Sequence, residues 1–383
     1  MPAIYLDNAA STRVSDEVVA LMTEVMRSAW GNPSSQHPQG AAARAYLDGA
    51  RTRLLAALGD AGGVRSEIIW TSGCTESNAL AVLGAARTHA GKLVISTLEH
   101  PAIATLADRL EREGREVARV PAGPGGVLDP DEVARAAHGA GVVALLAVQN
   151  EIGTVQPIAA IAAAVRAVAP GAHVHVDAAQ ALGKIAIDFA ALGVDSVAIA
   201  GHKLHGPKGV GALQLRRGAE LEPLWIGGGQ QRGLRGGTQD APGAAGLGLA
   251  AEHAVRALTS ARARWLELAG RVTAQLAERG VAARQLVPDH RRAPHILALA
   301  IAGVPAGALR NVLASRGVYV ATGSACAEEG AKKSPVLEAM GLPPEDGMVR
   351  LSFGLDTTAD DVDAAAKILA DVARELSRSG TRA

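Results

Sequence analysis

The sequence predicts an α/β fold in which a mainly parallel β-sheet is covered by helices on both faces, with a smaller α+β domain after it. Short runs rich in β-branched residues alternate with Ala-rich helical stretches between residues 14 and 255. Such alternation is typical of the crossover connections that join parallel strands. The strands predicted in this large domain are residues 67–72, 92–97, 142–148, 173–177, 194–200 and 210–215.

A long helical pattern, from about residues 243–251 to residue 278, leads out of the large domain. Three further strands are predicted at residues 295–301, 317–320 and 348–353. The last helix is predicted to begin at Thr357, because Thr357-x-x-Asp360 has the spacing of a capping box. We therefore expect a large domain over residues 14–255 and a small domain formed by residues 1–13 and 256–383.

The composition is that of a globular chain with no general affinity for nucleic acid. Its 383 residues suit two or three units, since a domain usually has roughly 100–200 residues. Basic and acidic residues number 38 each, so no overall field would gather nucleic acid or an anionic membrane. Aromatic residues make up only 2% of the chain, which disfavours a base-stacking surface.

The chain has two cysteines, Cys74 and Cys326, which are too few for a disulfide framework or a metal cluster. This usage indicates a reducing compartment. The first residues show no basic segment followed by an apolar one, and the longest apolar run, residues 139–148, is shorter than the ~18 residues of a membrane span. We expect a soluble, cytoplasmic protein.

Polar residues that directly follow the predicted strands are the places where an open parallel sheet binds ligands. Residues 71–78, Thr-Ser-Gly-Cys-Thr-Glu-Ser-Asn, form a small-residue turn into a helix. That turn fits either a phosphate held by free amides or an ordinary Ser/Thr N-cap. The segment from Asp177 to Gln180 places a carboxylate at a strand end, which fits either a partner for a pyridinium nitrogen or a plain helix cap.

Two nucleophilic side chains lie among small residues. Lys203 directly follows an apolar strand and has glycines around it. Most lysines are solvated surface residues, but a lysine with a lowered pKa can form a Schiff base with an aldehyde. The presence of Asp177, 26 residues earlier, favours the Schiff-base role. Cys326 lies in the small-residue stretch 322–330, where it is either a thiolate that reaches a substrate or a buried, inert residue.

His173 and His175 share one face of a predicted strand and could imitate a pair of metal ligands. No carboxylate or cysteine accompanies them in a suitable pattern, so packing is the favoured interpretation. We expect no metal in the site.

The segments that carry the chemistry come in a fixed order and spacing. They are residues 5–10 (YLDNAA), 31–35 (GNPSS), 71–78 (TSGCTESN), 99–100 (EH), 149–154 (QNEIGT), 177–180 (DAAQ), 201–209 (GHKLHGPKG), 227–230 (GGGQ), 235–238 (RGGT), 323–326 (GSAC) and 350–352 (RLS). In this order the chain resembles the cysteine desulfurases, pyridoxal-phosphate enzymes of the class V aminotransferases, from Tyr5 to the final helix. The resemblance implies the type I fold of the PLP-dependent transferases, with a seven-stranded sheet.

The resemblance also implies pyridoxal 5'-phosphate as cofactor and assigns the catalytic residues. Lys203 would form the Schiff base with the cofactor and remove the substrate Cα proton. His100 would stack on the ring and handle the substrate thiol proton, and Cys326 would attack the substrate sulfur. Asp177 would partner the ring nitrogen and Gln180 the phenolic oxygen. The implied cofactor-binding residues are Cys74, Thr75, His100, Asn150, Asp177, Gln180, Ala200, His202, Lys203 and Thr238, and the implied substrate-binding residues are Arg350, Asn150 and Asn32.

The implied reaction converts L-cysteine to L-alanine with a persulfide on Cys326. Residues 323–326 and 334–337 resemble the long-loop group, which passes sulfur to an acceptor protein such as an iron–sulfur scaffold or a tRNA thiolation enzyme. Thr238 would reach a cofactor phosphate across a homodimer interface; no direct DNA or membrane partner is expected.

Alternatives remain another PLP-dependent reaction on the same fold, such as an aminotransferase or a selenocysteine lyase, and a non-catalytic sulfur-relay protein. Ala200 suggests the sulfur-relay alternative. The family usually has a Ser at this position that binds the cofactor phosphate, and the loss of that hydroxyl hydrogen bond costs about 0.5–1.5 kcal/mol. Cys74 likewise replaces the usual Ala.

Overall fold

A seven-stranded sheet forms the centre of the large domain in this computed structural model, which describes residues 3–323, 334–343 and 346–380. The strand order is β2-β8-β7-β6-β5-β3-β4, and β8 runs antiparallel to both of its neighbours while the other pairs are parallel. The predicted mainly parallel sheet is therefore confirmed. Its strands are β2 (Ser66–Thr71), β3 (Lys92–Ser96), β4 (Val117–Val120), β5 (Ala140–Leu146), β6 (His173–Asp177), β7 (Ser196–Ala200) and β8 (Gly211–Arg216).

Both faces of this sheet are covered, because successive side chains of a strand point to opposite sides. Val143 and Leu145 of β5 pack in one hydrophobic cluster, whereas Val142 and Ala144 pack in another. The first cluster includes side chains of helices α1, α2, α5, α6 and α8, and the second includes those of α3 and α4. The helices of the large domain are α1 (Asp16–Ser28), α2 (Pro38–Ala57), α3 (Cys74–Thr88), α4 (Pro101–Arg112), α5 (Pro130–Ala137), α6 (Ile158–Val168) and α7 (Phe189–Leu192), followed by α8 (Ala241–Glu278).

Helix α8, 38 residues long, passes from one hydrophobic cluster to another. Ala254 packs with the large-sheet cluster, and Ala261 belongs to a separate cluster formed with the C-terminal elements. This change is consistent with the predicted boundary near residue 255, although the domain ranges themselves stay predictions. Over the described ranges, no helix combines the length and apolarity that crossing a membrane requires.

The C-terminal part contains an antiparallel sheet of order β12-β10-β9, and β11 pairs in parallel with β1 near the start of the chain. Three of these strands match the predicted runs; β1 and β9 were not predicted. The elements are β1 (Ile4–Tyr5), β9 (Ala283–Gln285), β10 (Ile296–Ile301), β11 (Val318–Tyr319), β12 (Gly347–Ser352), α9 (Ala306–Ser315), α10 (Pro335–Ala339) and α11 (Ala359–Gly380).

The predicted N-cap of the last helix is wrong by one residue. Helix α11 begins at Ala359, and its capping box joins Thr358 to Asp361: Thr358 Oγ1 accepts the Asp361 N–H at 3.0 Å, and Asp361 Oδ2 accepts the Thr358 N–H at 3.1 Å. Both Thr-x-x-Asp pairs have the right spacing. The hydroxyl of Thr357 instead accepts the N–H of Gly354 at 2.8 Å, so it belongs to the preceding turn.

Candidate active site

A cavity of about 560 Å³ lies beyond the carboxyl ends of the parallel strands, where an α/β sheet is expected to bind a ligand. Segments that follow β2, β3, β5, β6 and β7 all contribute to its wall. The structure brings most of the predicted site residues together here, although their roles stay predictions. Those that line the cavity are Cys74, Thr75, His100, Asn150, Asp177, Gln180, Ala200, His202, Lys203 and Arg350.

Three predicted site residues are not part of this wall. Asn32 is exposed, and its side-chain oxygen accepts the N–H of Ser34 at 2.9 Å, which makes it a turn residue in this chain. Thr238 is also exposed and outside the cavity. Cys326 lies outside the described residues.

Lys203 ends a single turn of 3₁₀ helix that directly follows β7. Its Nζ donates hydrogen bonds to the carbonyl oxygens of Ala9 at 2.6 Å and Ala10 at 2.7 Å. Burial and, after it, the neighbouring charge of Arg350 together lower the pKa of Lys203 from 10.5 to about 8. The amine can therefore lose its proton close to neutral pH, as a Schiff-base lysine must.

Asp177 ends β6, and three donors fix its carboxylate. Asn78 Nδ2 donates to Oδ2 at 2.7 Å, and the Ala179 N–H donates to Oδ1 at 2.9 Å. The Cys74 thiol also donates to Oδ1, with Sγ at 3.4 Å. The residues after Asp177 form turns rather than the helix expected there, so it is not a helix cap. An oriented, buried carboxylate suits a protonated ring nitrogen.

His100 is the N-cap of α4, and its Nδ1 accepts the N–H of Ala102 at 3.1 Å. Since Nδ1 accepts, a neutral ring carries its proton on Nε2. Burial lowers the pKa of His100 in spite of the opposing effect of Asp177, so the neutral ring is favoured. The ring therefore offers an Nε2–H donor.

Arg350, on β12, is held by its neighbours at the edge of the cavity. Nη2 donates to Asp7 Oδ1 at 2.5 Å, and Nη1 donates to the carbonyl of Asn150 at 2.7 Å. Nε is buried and has no hydrogen-bond partner among the described residues. A fixed guanidinium with a free N–H is a suitable receptor for a substrate carboxylate.

The start of α3 is open to an anion. Its N-cap is Gly73, which has no side chain to occupy the first amides, so the alternative of an ordinary Ser/Thr cap is wrong. His202 lies on the same cavity wall, and burial, together with Lys203 and Lys208, lowers its pKa to about 4. Ala200 is buried and contributes no hydroxyl. The open amides fit a phosphate group.

The comparisons with known proteins agree with this geometry. A family model described as aminotransferase class-V matches residues 4–365. The chain belongs to the class-V aminotransferase family. Members of this family depend on pyridoxal 5'-phosphate, which is therefore the cofactor of this chain. The amine of Lys203, the carboxylate of Asp177 and the open start of α3 fit the aldehyde, ring nitrogen and phosphate of that group.

Several members of the family are similar to this chain over almost its whole length. A cysteine desulfurase of Sinorhizobium fredii is 37% identical, with 99% of this chain and 98% of the relative covered. A protein named cysteine desulfurase IscS from Methanosarcina thermophila is 34% identical, with coverages of 98% and 93%. A solved NifS-like protein is 32% identical, with a TM-score of 0.90 and coverages of 98% and 100%. The solved structure has the PLP-dependent fold that the sequence predicted.

Four contacts of this class-V site were not predicted from the sequence. Asp7 pairs with Arg350, Asn78 holds Asp177, and the carbonyls of Ala9 and Ala10 bind Lys203. Asp7 and Asn78 lie inside quoted motifs but had no role assigned, because each acts on a partner far away in the chain.

Proposed function

We propose that this chain is a cysteine desulfurase, which converts L-cysteine to L-alanine and transfers the sulfur to Cys326 as a persulfide. One observation carries the proposal: the amine of Lys203, the carboxylate of Asp177 and the guanidinium of Arg350 line one cavity of a class-V aminotransferase. The full-length relatives named cysteine desulfurase support the choice of reaction within that family.

The bound cofactor supplies an electron sink for bonds at the substrate Cα. Lys203 would hold the cofactor aldehyde and, once the substrate amine has displaced it, would take the Cα proton as a neutral amine. Its lowered pKa supports both tasks. Asp177 binds the ring nitrogen and keeps it protonated. Arg350 binds the substrate carboxylate and so sets which bonds of Cα face Lys203.

His100 moves the proton of the substrate sulfur. Its Nδ1 is occupied by the Ala102 amide, so Nε2–H is the group that first meets the substrate, as a hydrogen-bond donor. To accept the proton of the substrate thiol, the ring needs a nitrogen with a free lone pair. Either Nδ1 releases the Ala102 amide, or Nε2 first gives up its own proton.

The sulfur acceptor is Cys326 rather than Cys74, the other cysteine of the sequence. Burial and the Asp177 carboxylate raise the pKa of the Cys74 thiol well above its usual value. Cys74 thus remains a thiol, which is a poor nucleophile. Cys326 lies in a stretch of small residues and is therefore the proposed nucleophile.

The finer features of the proposal follow the resemblance of the sequence. The protein acts as a homodimer in which Thr238 of a second copy helps to bind the cofactor phosphate. The persulfide passes to an acceptor protein that builds iron–sulfur clusters or thiolates tRNA. The two-cysteine composition supports a cytoplasmic location.

The test is turnover of L-cysteine by the purified holoenzyme with a reductant present. We expect alanine and sulfide in equal amounts, and Cys326→Ser should abolish turnover while the cofactor absorption remains. Cys74→Ala is the matched control: mass spectrometry should still find the persulfide on Cys326. Full turnover by Cys326→Ser would refute the role of that thiol. Dependence on an amino acceptor would indicate an aminotransferase, and strong preference for selenocysteine a lyase of that substrate.

A further inference from the structure

A chain of buried polar side chains leads away from Asp177 through the large domain. His173, His175 and Asp177 alternate along β6 and so share one face of the sheet, toward α3. Asn78 of α3 and Ser196 of β7 complete the chain, and all five residues are buried, with 7% exposure at most. No step of the proposed reaction uses the two histidines or the serine.

Four hydrogen bonds join these side chains end to end. Asn78 Nδ2 lies 2.7 Å from Asp177 Oδ2, and Asn78 Oδ1 lies 2.9 Å from His175 Nε2. His175 Nδ1 and His173 Nε2 each lie 2.8 Å from Ser196 Oγ. Every one of these distances is that of a good hydrogen bond.

In this series of hydrogen-bonded side chains, the carboxylate at one end determines which group donates in each bond. The Asp177 carboxylate can only accept, so the Asn78 amide group faces it and Asn78 Oδ1 faces His175. His175 must then carry its proton on Nε2, which leaves Nδ1 to accept the hydroxyl proton of Ser196. Ser196 Oγ in turn accepts the Nε2–H of His173. All four donors point toward Asp177.

Neutral imidazoles are required for this order, because a doubly protonated His175 could not accept from Ser196. Burial lowers the pKa of His175 to about 3 and that of His173 to about 4. Both rings therefore stay neutral across the working range of pH, and both nitrogens of His175 are engaged within the chain.

We propose that His173, Ser196, His175 and Asn78 are positioning residues, a one-way chain of donors that fixes the orientation of Asp177 and sets how strongly it binds the ring nitrogen of the cofactor. This inference rests on the pyridoxal-phosphate site of the proposed function but not on cysteine as the substrate. Ser196 is the critical link, since without its hydroxyl the proton of His175 can move to Nδ1. The Asn78 amide can then flip, so that its Oδ1 instead of its Nδ2 faces Asp177. An oxygen in that position repels the carboxylate.

The first test reads the protons directly. In holoenzyme labelled with ¹⁵N-histidine, with peaks assigned through His173→Gln and His175→Gln, we expect both rings to be neutral and protonated on Nε2 from about pH 6 to pH 8. A proton on Nδ1 of His175, or a charged ring at either position, would overturn the inference. This measurement needs no variant to be active.

The second test uses Ser196→Ala. We expect its affinity for pyridoxal phosphate to fall roughly three- to tenfold, with a changed visible absorption band, and Ser196→Thr, which keeps the hydroxyl, to recover most of the loss. Ser66→Ala is the matched control, because Ser66 is a fully buried serine of β2 whose hydroxyl bonds Asp60 at 2.6 Å instead. The control should keep the wild-type affinity and spectrum.

The outcomes separate this inference from the proposed function. Wild-type affinity and spectrum in Ser196→Ala would overturn the inference alone. A wild-type protein that binds the cofactor but does not release sulfur from cysteine would overturn the desulfurase proposal alone. Failure of the wild-type protein to bind pyridoxal phosphate would overturn both.

Discussion

The amine of Lys203 should titrate far below an ordinary lysine in the cofactor-free protein. Burial and the charge of Arg350 lower its pKa from 10.5 to about 8. At pH 7 such an amine is about 10% unprotonated, against roughly 0.03% for an unshifted lysine, so the structure supplies about 300 times more reactive amine.

Arg350→Met tests this origin of the pKa shift. The substitution removes the charge that, after burial, lowers the Lys203 pKa most, and it leaves Asp7 without its guanidinium partner. Both changes favour the ammonium form of Lys203, so its pKa should rise. Each unit of increase reduces the reactive fraction at pH 7 about tenfold, equivalent to about 1.4 kcal/mol.

The assay is an NMR titration of cofactor-free protein labelled with ¹⁵N at the lysine side chains. Lys203→Met identifies the peak, and Lys184→Met separates it from a second buried lysine whose pKa is also about 8. Arg292→Met is the matched control, because Arg292 is a buried arginine that is ion-paired with Asp289 at 2.8 Å and is not among the groups that shift the pKa of Lys203 most. A wild-type midpoint near 10.5, or an unchanged or lower midpoint in Arg350→Met, would refute the reasoning.

Three more predictions concern single side chains. His100→Asn keeps an N-cap side chain but loses the proton carrier, so kcat should fall about 10²–10⁴-fold with little change in the unfolding midpoint. His100→Ala should show the same loss of kcat and should also lose about 1 kcal/mol of stability. Equal stability losses in the two variants would contradict the capping role. Cys74 should resist alkylation by a neutral reagent up to pH 9, as peptide mapping can show, because burial and Asp177 raise its pKa; rapid labelling at pH 8 would be contrary to this. Burial lowers the pKa of Lys184, so the unfolded chain holds more protons between pH 8 and 10.5, and stability of the cofactor-free protein should rise with pH across that window. Denaturant unfolding should show Lys184→Met removing roughly 3 kcal/mol of this rise, and an unaltered slope would refute it.

The central strands could be predicted because they are short runs rich in β-branched residues between Ala-rich helical stretches. Residues 173–177 were predicted with the bounds that β6 has, and β7 began two residues later than predicted. Strand β4 (Val117–Val120) escaped prediction, since it lies at the sheet edge, is only four residues long and carries an exposed arginine. Short edge strands have neither the length nor the pattern of a buried run.

The cavity residues could be predicted where they follow strands, as Asp177 and Lys203 do. Their supports could not, because these come from distant parts of the chain: Ala9 lies 194 residues before Lys203, and Asn78 lies 99 residues before Asp177. The chain of donors depends on the register of β6 against β7, which places His175 opposite Ser196. Sequence patterns showed the two histidines on one face but gave no sign of the serine between them.

The most direct test of the account is to find which lysine holds the cofactor. The holoenzyme is reduced with borohydride, digested, and its peptides are analysed by mass spectrometry. We expect a reduced pyridoxyl-phosphate group on Lys203 in nearly every chain. The group on Lys184, which has a similarly lowered pKa, or on Lys208, which also lines the cavity, would contradict it.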